Sequence, residues 1–280
     1  MEWTKSVVMT RSRDRFKQKR SLGQVFLKET WPCKKMTQYL IDHKVEEVLE
    51  IGPGGAILTK ELLGAGLIVT AVEKDSRLMD HLQSLANTQQ NLSVIESDFL
   101  DFNIEQWLKS NNRRKAIVGN IPYNVSSPIV MKILPFLPKL TCSLLMFQLE
   151  FAERVVASEN HKSYGSLSIY CHLRALTHIE FKIGRQTFKP VPKVDSAVVS
   201  FSARKNMLPA KELAKIEKVV RQAFQQRRKK LTNSIAPYLK DCDTSSSPID
   251  LNRRCDSLSP QDFAELCNWL PDFQSTDTSV

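Results

Sequence analysis

Nowhere along the 280 residues do about twenty apolar ones follow one another, the length a helix needs to cross a bilayer. The first thirty are too charged, and too short of an apolar stretch, for a secretory signal. Asp14 and Glu29 in turn argue against an acid-poor organellar targeting peptide. A cytoplasmic protein is expected. Six cysteines (Cys33, Cys142, Cys171, Cys242, Cys255, Cys267) show neither C-x-x-C nor any Cys/His ligand spacing. They read as free thiols in a reducing compartment, small hydrophobes in effect, and no metal site is legible. Histidine is scarce too, and none of the five lies in sequence near the motif that carries the chemistry below.

Acid is missing where base is dense. Residues 1–30 hold Lys5, Arg11, Arg13, Arg15, Lys17, Lys19, Arg20 and Lys28 against three acids, and Arg227-Arg228-Lys229-Lys230 follows Arg221 with no acid between. A merely solvated helix face interleaves its charges. These two segments, in a chain of net charge +10, fit a nucleic-acid phosphate backbone instead.

Apolar periodicity predicts helices over 31–44, 56–63, 75–85, 104–109 and 150–157, and strands over 45–51, 67–72, 92–95, 116–119, 144–147, 179–183 and 197–201. Such alternation implies an α/β fold with a mostly parallel sheet. Beyond Lys205 only helices are expected, over 212–226, 231–239 and 261–270. The expected organisation is a basic arm (1–30), a catalytic domain (31–204), a small helical RNA-binding domain (205–273) and a disordered tail (274–280).

Strand, glycine-rich turn, helix, strand and acid make the adenosine-cofactor arrangement of a doubly wound sheet. Here Gly52-Pro53-Gly54 forms the turn, and Glu73, nineteen residues after Gly54, can bind both ribose hydroxyls. A proline inside the turn, and Ile57 where a dinucleotide fingerprint has its third glycine, favour S-adenosyl-L-methionine over a dinucleotide. Glu50 agrees, since an acid there suits the cationic methionine end and would repel a pyrophosphate. Asp98, after the third strand, is placed to accept from the adenine amine beside Phe99. Its plainer alternative is a helix N-cap.

Asn120-Ile121-Pro122-Tyr123 ends the fourth strand, in the crevice where open α/β sheets bind ligands. An adenine amino nitrogen is a poor nucleophile because its lone pair is delocalised into the ring. The Asn120 amide oxygen and the Ile121 carbonyl can take its two hydrogens, Pro122 shapes the turn, and Tyr123 offers a flat face to an unstacked base.

With these motifs the chain resembles the ribosomal RNA adenine dimethyltransferase family, its small-subunit branch in particular. The resemblance also rests on Lys19-Arg20-Ser21-Leu22-Gly23-Gln24 with Phe26-Leu27, Asn124 to Pro128, Tyr164-Gly165-Ser166-Leu167-Ser168, Phe188 to Ser196, and Phe224 to Leu231. It implies a Rossmann-like class I methyltransferase sheet with a helical C-terminal domain, and S-adenosyl-L-methionine as donor. The implied acceptors are two adjacent adenosines in the 3′-terminal hairpin of 16S ribosomal RNA, dimethylated during ribosome biogenesis on the RNA or a partly assembled small subunit. Carried over by position, the catalytic set is Asn120, Ile121, Pro122 and Tyr123, and the donor contacts are Val25, Leu27, Gly52, Gly54, Glu73, Asp98 and Asn120. Lys19, Arg20, Arg227, Arg228, Lys229 and Lys230 are expected to grip RNA, with the protein a monomer and no metal needed. Val25 departs from the family's asparagine, so only its backbone could serve a polar contact. Gly55-Ala56 replaces the commoner Leu-Gly pair.

Three rivals share parts of this pattern: large-subunit RNA methyltransferases of macrolide resistance, DNA adenine methyltransferases, and assembly or transcription factors that keep the fold without catalysis. The arm and the Phe-x-Pro-x-Pro-x-Val-x-Ser segment favour the small-subunit branch over the first. A DNA enzyme's target-recognition domain finds no room in 280 residues. The presence of Glu73, Asp98, Asn120 and Tyr123 argues against the third.

Overall fold

The computed structural model describes residues 26–240 and 242–272. The basic stretch with Lys19, Arg20 and Val25, and the expected tail, lie outside the described residues.

Seven strands form one sheet in the order β4-β3-β2-β5-β6-β9-β7: β4 (Leu92–Glu96), β3 (Ile68–Glu73), β2 (Glu47–Ile51), β5 (Lys115–Asn120), β6 (Cys142–Gln148), β9 (Ser196–Ala203) and β7 (Ala175–Ile183). The first five pair in parallel, and β9 runs antiparallel to both β6 and β7. This is the mostly parallel α/β sheet expected from the alternation of elements. Val48, Val69, Ala71, Val118 and Leu144 bury one face against α1 (Trp31–Asp42) and α2 (Ile57–Gly64). Leu49, Ile51, Val72, Ile117 and Leu145 bury the other against α4 (Ile104–Lys109), α5 (Ser126–Ile133) and α6 (Leu149–Val156). Burial on both faces is why these strands read as continuous apolar runs. Between β3 and β4, α3 (Ser76–Ala86) packs Leu78 and Leu82 around Ala56.

Several elements differ from expectation: no helix was expected where α5 lies, and the helix expected over 231–239 is broken after Ser234. The helix α7 (Ser166–Arg174) was not predicted, because Leu167, Ser168, Ile169, Tyr170, Cys171, Leu173 and Arg174 are all buried and leave no one-sided stripe to read. β7 starts at Ala175 rather than 179, since its first residues lie on a sheet edge, with Leu176 55% exposed and a register shift between Ile179 and Phe181. A separate two-stranded pair joins β1 (Phe26–Leu27) to β8 (Phe188–Lys189), so the chain just after the basic arm is tied to the segment before β9.

After β9 come α8 (Ala210–Gln225), α9 (Leu231–Ser234), α10 (Ala236–Leu239) and α11 (Pro260–Trp269), the last closed by a Ser259/Asp262 capping box. Their apolar faces (Val219, Val220, Phe263, Leu266) join the same cluster as the sheet, reached through α7. Polar bonds cross that seam. Arg174 pairs with Glu217 at 2.5 Å, and the Tyr170 hydroxyl donates to Glu217 O at 3.1 Å. The fully buried Tyr164 donates its hydroxyl to Leu258 O at 2.8 Å. Tyr164→Phe leaves that carbonyl without the bond, and is expected to cost about 0.5–1.5 kcal/mol of stability. A fall in the urea midpoint with unaltered slope would show it; an unchanged midpoint would mean the bond holds nothing.

Candidate active site

Glu73, Asp98, Asn120 and the glycine turn converge because parallel strands deliver their carboxyl ends to one edge of the sheet. β2, β3 and β4 wind one way with α2 and α3 covering one face. The chain then returns to β5, beside β2, with α4 and α5 on the opposite face. The crevice of an open sheet forms at such a reversal. β5 and β2 approach closely there: a Cβ on Gly119 would lie 2.7 Å from Ile51 O, so no larger residue fits.

The turn after β2 is held in shape by Glu73. Its Oε2 accepts from Gly54 N at 3.2 Å and its Oε1 from Asp75 N at 2.8 Å. Burial raises the Glu73 pKa, and those backbone donors oppose the rise. Gly54 has φ +54°, and a Cβ on it would meet the Phe26 ring at 2.8 Å, so both the backbone conformation and the ring above it demand glycine. Ala56, where relatives by resemblance carry glycine, also takes a left-handed conformation (φ +60°) at the head of α2. That replacement therefore carries backbone strain.

Two adjoining hollows share Gly52, Glu73 and Pro122. One, of about 90 Å³, runs from Phe26 and Leu27 past Glu50 to Asn120 and Tyr123. The other, of about 120 Å³, lies between Lys74 and Asp98 on one side and Phe99, Val125 and Ile129 on the other. Of the residues expected at the site, Leu27, Gly52, Gly54, Glu73, Asp98, Asn120, Ile121, Pro122 and Tyr123 all line this trough. Val25 lies outside the described residues. Asp98 is not the N-cap of α4, which is Asn103 accepting from Gln106 N. Its Oδ1 instead accepts from Leu100 N at 2.9 Å and its Oδ2 from Lys74 Nζ at 2.6 Å. That lysine holds its carboxyl below the usual carboxylate range. Tyr123 is half-buried with its hydroxyl beside Ser196, and burial raises its pKa. Phe26, Lys74 and Ser196 are site residues that sequence reasoning did not single out. Phe26 and Ser196 stood only inside quoted family motifs, and nothing marked Lys74.

Glu50 is 1% exposed, its Oε2 has no hydrogen-bond partner, and burial, with the Glu73 charge adding to it, pushes its pKa up to about 7. A buried carboxylate oxygen without a partner, in a hollow, fits a cationic ligand. With the Glu73 carboxylate shared by both hollows and Asp98 lining the second, these residues fit the chemistry of S-adenosylmethionine.

The basic cluster is not uniform. Arg227 Nε lies 3.3 Å from Asp256 and its Nη2 donates to Lys162 O, while Lys230 Nζ donates to Asn252. Arg228 and Lys229 are exposed. Among the described residues no group of His, Cys, Asp and Glu could hold a metal, and no helix is long and apolar enough to cross a membrane.

Glu50 is expected to make the binding of a cationic ligand pH-dependent. Its folded pKa is raised, so the stability it contributes is present below pH 4.5 and is lost as pH climbs through about 7. A cation favours the ionised form, so S-adenosylmethionine affinity should rise between pH 5 and 7, by up to about tenfold per unit. Glu50→Gln should flatten both trends in calorimetry and thermal melts. A pH slope that survives Glu50→Gln would remove Glu50 from the ligand's surroundings.

The family model described as Ribosomal RNA adenine dimethylase matches residues 15–272. A protein of Francisella tularensis subsp. novicida (strain U112), named Ribosomal RNA small subunit methyltransferase A, is 38% identical over 258 residues, 91% of this chain and 98% of its own. Among solved structures, a dimethyladenosine transferase from Plasmodium falciparum superposes with a TM-score of 0.69 at 25% identity, covering 86% of this chain and 95% of that one. The 23S rRNA methyltransferase ErmE does so with a TM-score of 0.65 at 26% identity, over 88% and 99%.

Proposed function

The chain belongs to the ribosomal RNA adenine dimethylase family, and we propose that it dimethylates the amino groups of two adjacent adenosines in the 3′-terminal hairpin of 16S ribosomal RNA, with S-adenosyl-L-methionine as donor. The observation that carries this reading is the trough itself, in which Asn120 and Tyr123 stand at one end and the Glu50, Glu73 and Asp98 carboxylates line the remainder. The small-subunit substrate is supported by the 38% identity over nearly the whole of a relative with that name, and by the Lys19 to Gln24 and Phe188 to Ser196 segments.

In this reading Glu73 takes the ribose hydroxyls, Asp98 the adenine amine, and Glu50 the cationic end of the donor, with Phe26 and Leu27 closing the mouth above the glycine turn. When bound, the donor supplies a methyl group on a sulfonium, open to in-line displacement without a metal. The protein's task is to present the acceptor. Tyr123 stacks against the target base, and Asn120 Oδ1 and the Ile121 carbonyl take its two amino hydrogens, turning the nitrogen lone pair toward the methyl. Positive charge grows on that nitrogen as the bond forms, so two fixed acceptors lower the barrier without a strong base.

At saturating donor, Asn120→Ala is expected to slow single-turnover methyl transfer by about 10²-fold or more, the scale for one such electrostatic contact. Tyr123→Ala should lose most of the rate and Tyr123→Phe keep much of it. Equal loss in both would place the hydroxyl beside Ser196, not the ring, in the chemistry.

RNA affinity is expected to depend on the exposed pair in the basic cluster. Neutralising Arg228 and Lys229 to glutamine should make the plot of log affinity against log salt shallower by about 0.7–0.9 for each phosphate no longer gripped, leaving donor affinity intact. Arg227→Gln should in addition lower stability, because it deprives Asp256 of its partner. An unchanged salt slope in the Arg228/Lys229 double variant would exclude phosphate binding by these two.

A further inference from the structure

Lys74 follows Glu73 at the end of β3, where its side chain is 63% exposed, yet its ammonium reaches 2.6 Å from Asp98 Oδ2. The two oxygens of Asp98 are not equivalent. Oδ1 is committed to the backbone N–H of Leu100, inside the residue's own loop. Oδ2 carries no such local bond, and it is the oxygen the lysine holds. Both residues line the same hollow, opposite Phe99, Val125 and Ile129. The acceptor best placed for an adenine amine is therefore already taken by a cation of the protein.

The strength of this interaction suits exchange. An ion pair with so exposed a lysine is weak, because water solvates the ammonium equally well once it leaves. Asp98 does not depend on Lys74 for its charge either. Lys132, whose ammonium lies 5.7 Å from the Phe99 ring centroid and donates to Leu100 O, adds its charge to the same carboxylate independently of Lys74. Departure of the Lys74 ammonium thus leaves an ionised acceptor with a free lone pair facing the hollow.

We propose that Lys74 competes with the adenine amino group of the donor for Asp98 Oδ2, and so sets how readily the spent donor leaves. The inference rests on the donor site proposed above. Dimethylating two adenosines takes four methyl transfers, and every transfer leaves S-adenosylhomocysteine, whose adenine is unchanged. Nothing in the chemistry of the transfer loosens that end of the product. A lysine that returns to Asp98 whenever the adenine tilts away gives the protein a means of letting go. Toward an adenine amine Lys74 is a positioning residue, acting through Asp98.

The test is a two-residue cycle read by binding, not by turnover. S-adenosylhomocysteine affinity is measured by calorimetry, and its dissociation by stopped flow, for the full chain, Lys74→Met, Asp98→Asn and the double variant. Methionine keeps the length of the apolar stem and removes the charge. Lys74→Met is expected to tighten binding by about two- to fivefold, the scale of an exposed ion pair, mostly through slower dissociation. In the Asp98→Asn background the same change should do nothing. With S-inosylhomocysteine, whose 6-oxo group accepts where adenine donates, Lys74→Met should weaken binding instead. Unchanged or weaker S-adenosylhomocysteine binding in Lys74→Met overturns the proposal, as does a gain that persists with Asp98→Asn. The donor site itself is judged separately. If Glu73→Gln and Asp98→Asn both bind S-adenosylhomocysteine as the parent does, that site is misplaced and the competition falls with it. If they weaken binding while Lys74→Met is silent, only the competition is wrong.

Discussion

Everything functional here depends on the carboxylate of Glu73 holding two backbone amides at once. One comes from Gly54, in the turn after β2, and the other from Asp75, after β3 itself. Adjacent parallel strands bring their ends together, but nothing in a sheet ladder fixes the loops beyond. A buried acid bridging both loops does, and the bridge leaves lone pairs on each oxygen for a ligand. Glu73 is thus a structural clamp, and the ligand role proposed for it is built on the same carboxylate. Its removal by Glu73→Ala would leave two buried N–H donors unmet, about 1–3 kcal/mol for each. Loss of stability and loss of donor affinity are inseparable in that variant, which is why glutamine is the better replacement.

The clamp also explains the graded environments of the three acids. Glu50 sits deepest, with an unpartnered oxygen and a raised pKa. Glu73 lies between, its charge spread over backbone donors. Asp98 is nearest solvent, and a lysine hydrogen-bonded to it holds its carboxyl below the usual carboxylate range. The trough therefore runs from a site that wants a cation to one that wants a neutral hydrogen-bond donor. A ligand with a cationic tail and an adenine head matches that gradient in only one direction, which presents the tail to Glu50 and the head to Asp98.

Much of this was legible before the fold was known. Both-face burial wrote the strands as apolar runs, and the glycine turn, Glu73, Asp98 and Asn120 each followed a strand, so their convergence followed from parallel pairing alone. What stayed hidden has physical reasons. α7 is buried all round and so has no amphipathic signature. Phe26 reaches the turn only because β1 pairs with β8, more than 160 residues away. Lys74 looks like any surface lysine until β3 and β4 lie side by side and bring it to Asp98. The run of bases at 227–230 read as one patch, whereas Arg227 is engaged with Asp256 and Lys162 at the seam between sheet and helices.

The central claim is that this trough delivers methyl groups to adenine amines of the small ribosomal subunit. It is tested most directly by incubating the protein with radiolabelled S-adenosylmethionine and ribosomal subunits whose RNA lacks these methylations, then digesting the RNA to nucleosides. The account predicts label in N6-dimethyladenosine from small-subunit RNA alone, approaching four methyl groups per subunit on two neighbouring residues. Label in large-subunit RNA, or none in either while the donor binds normally, would contradict it.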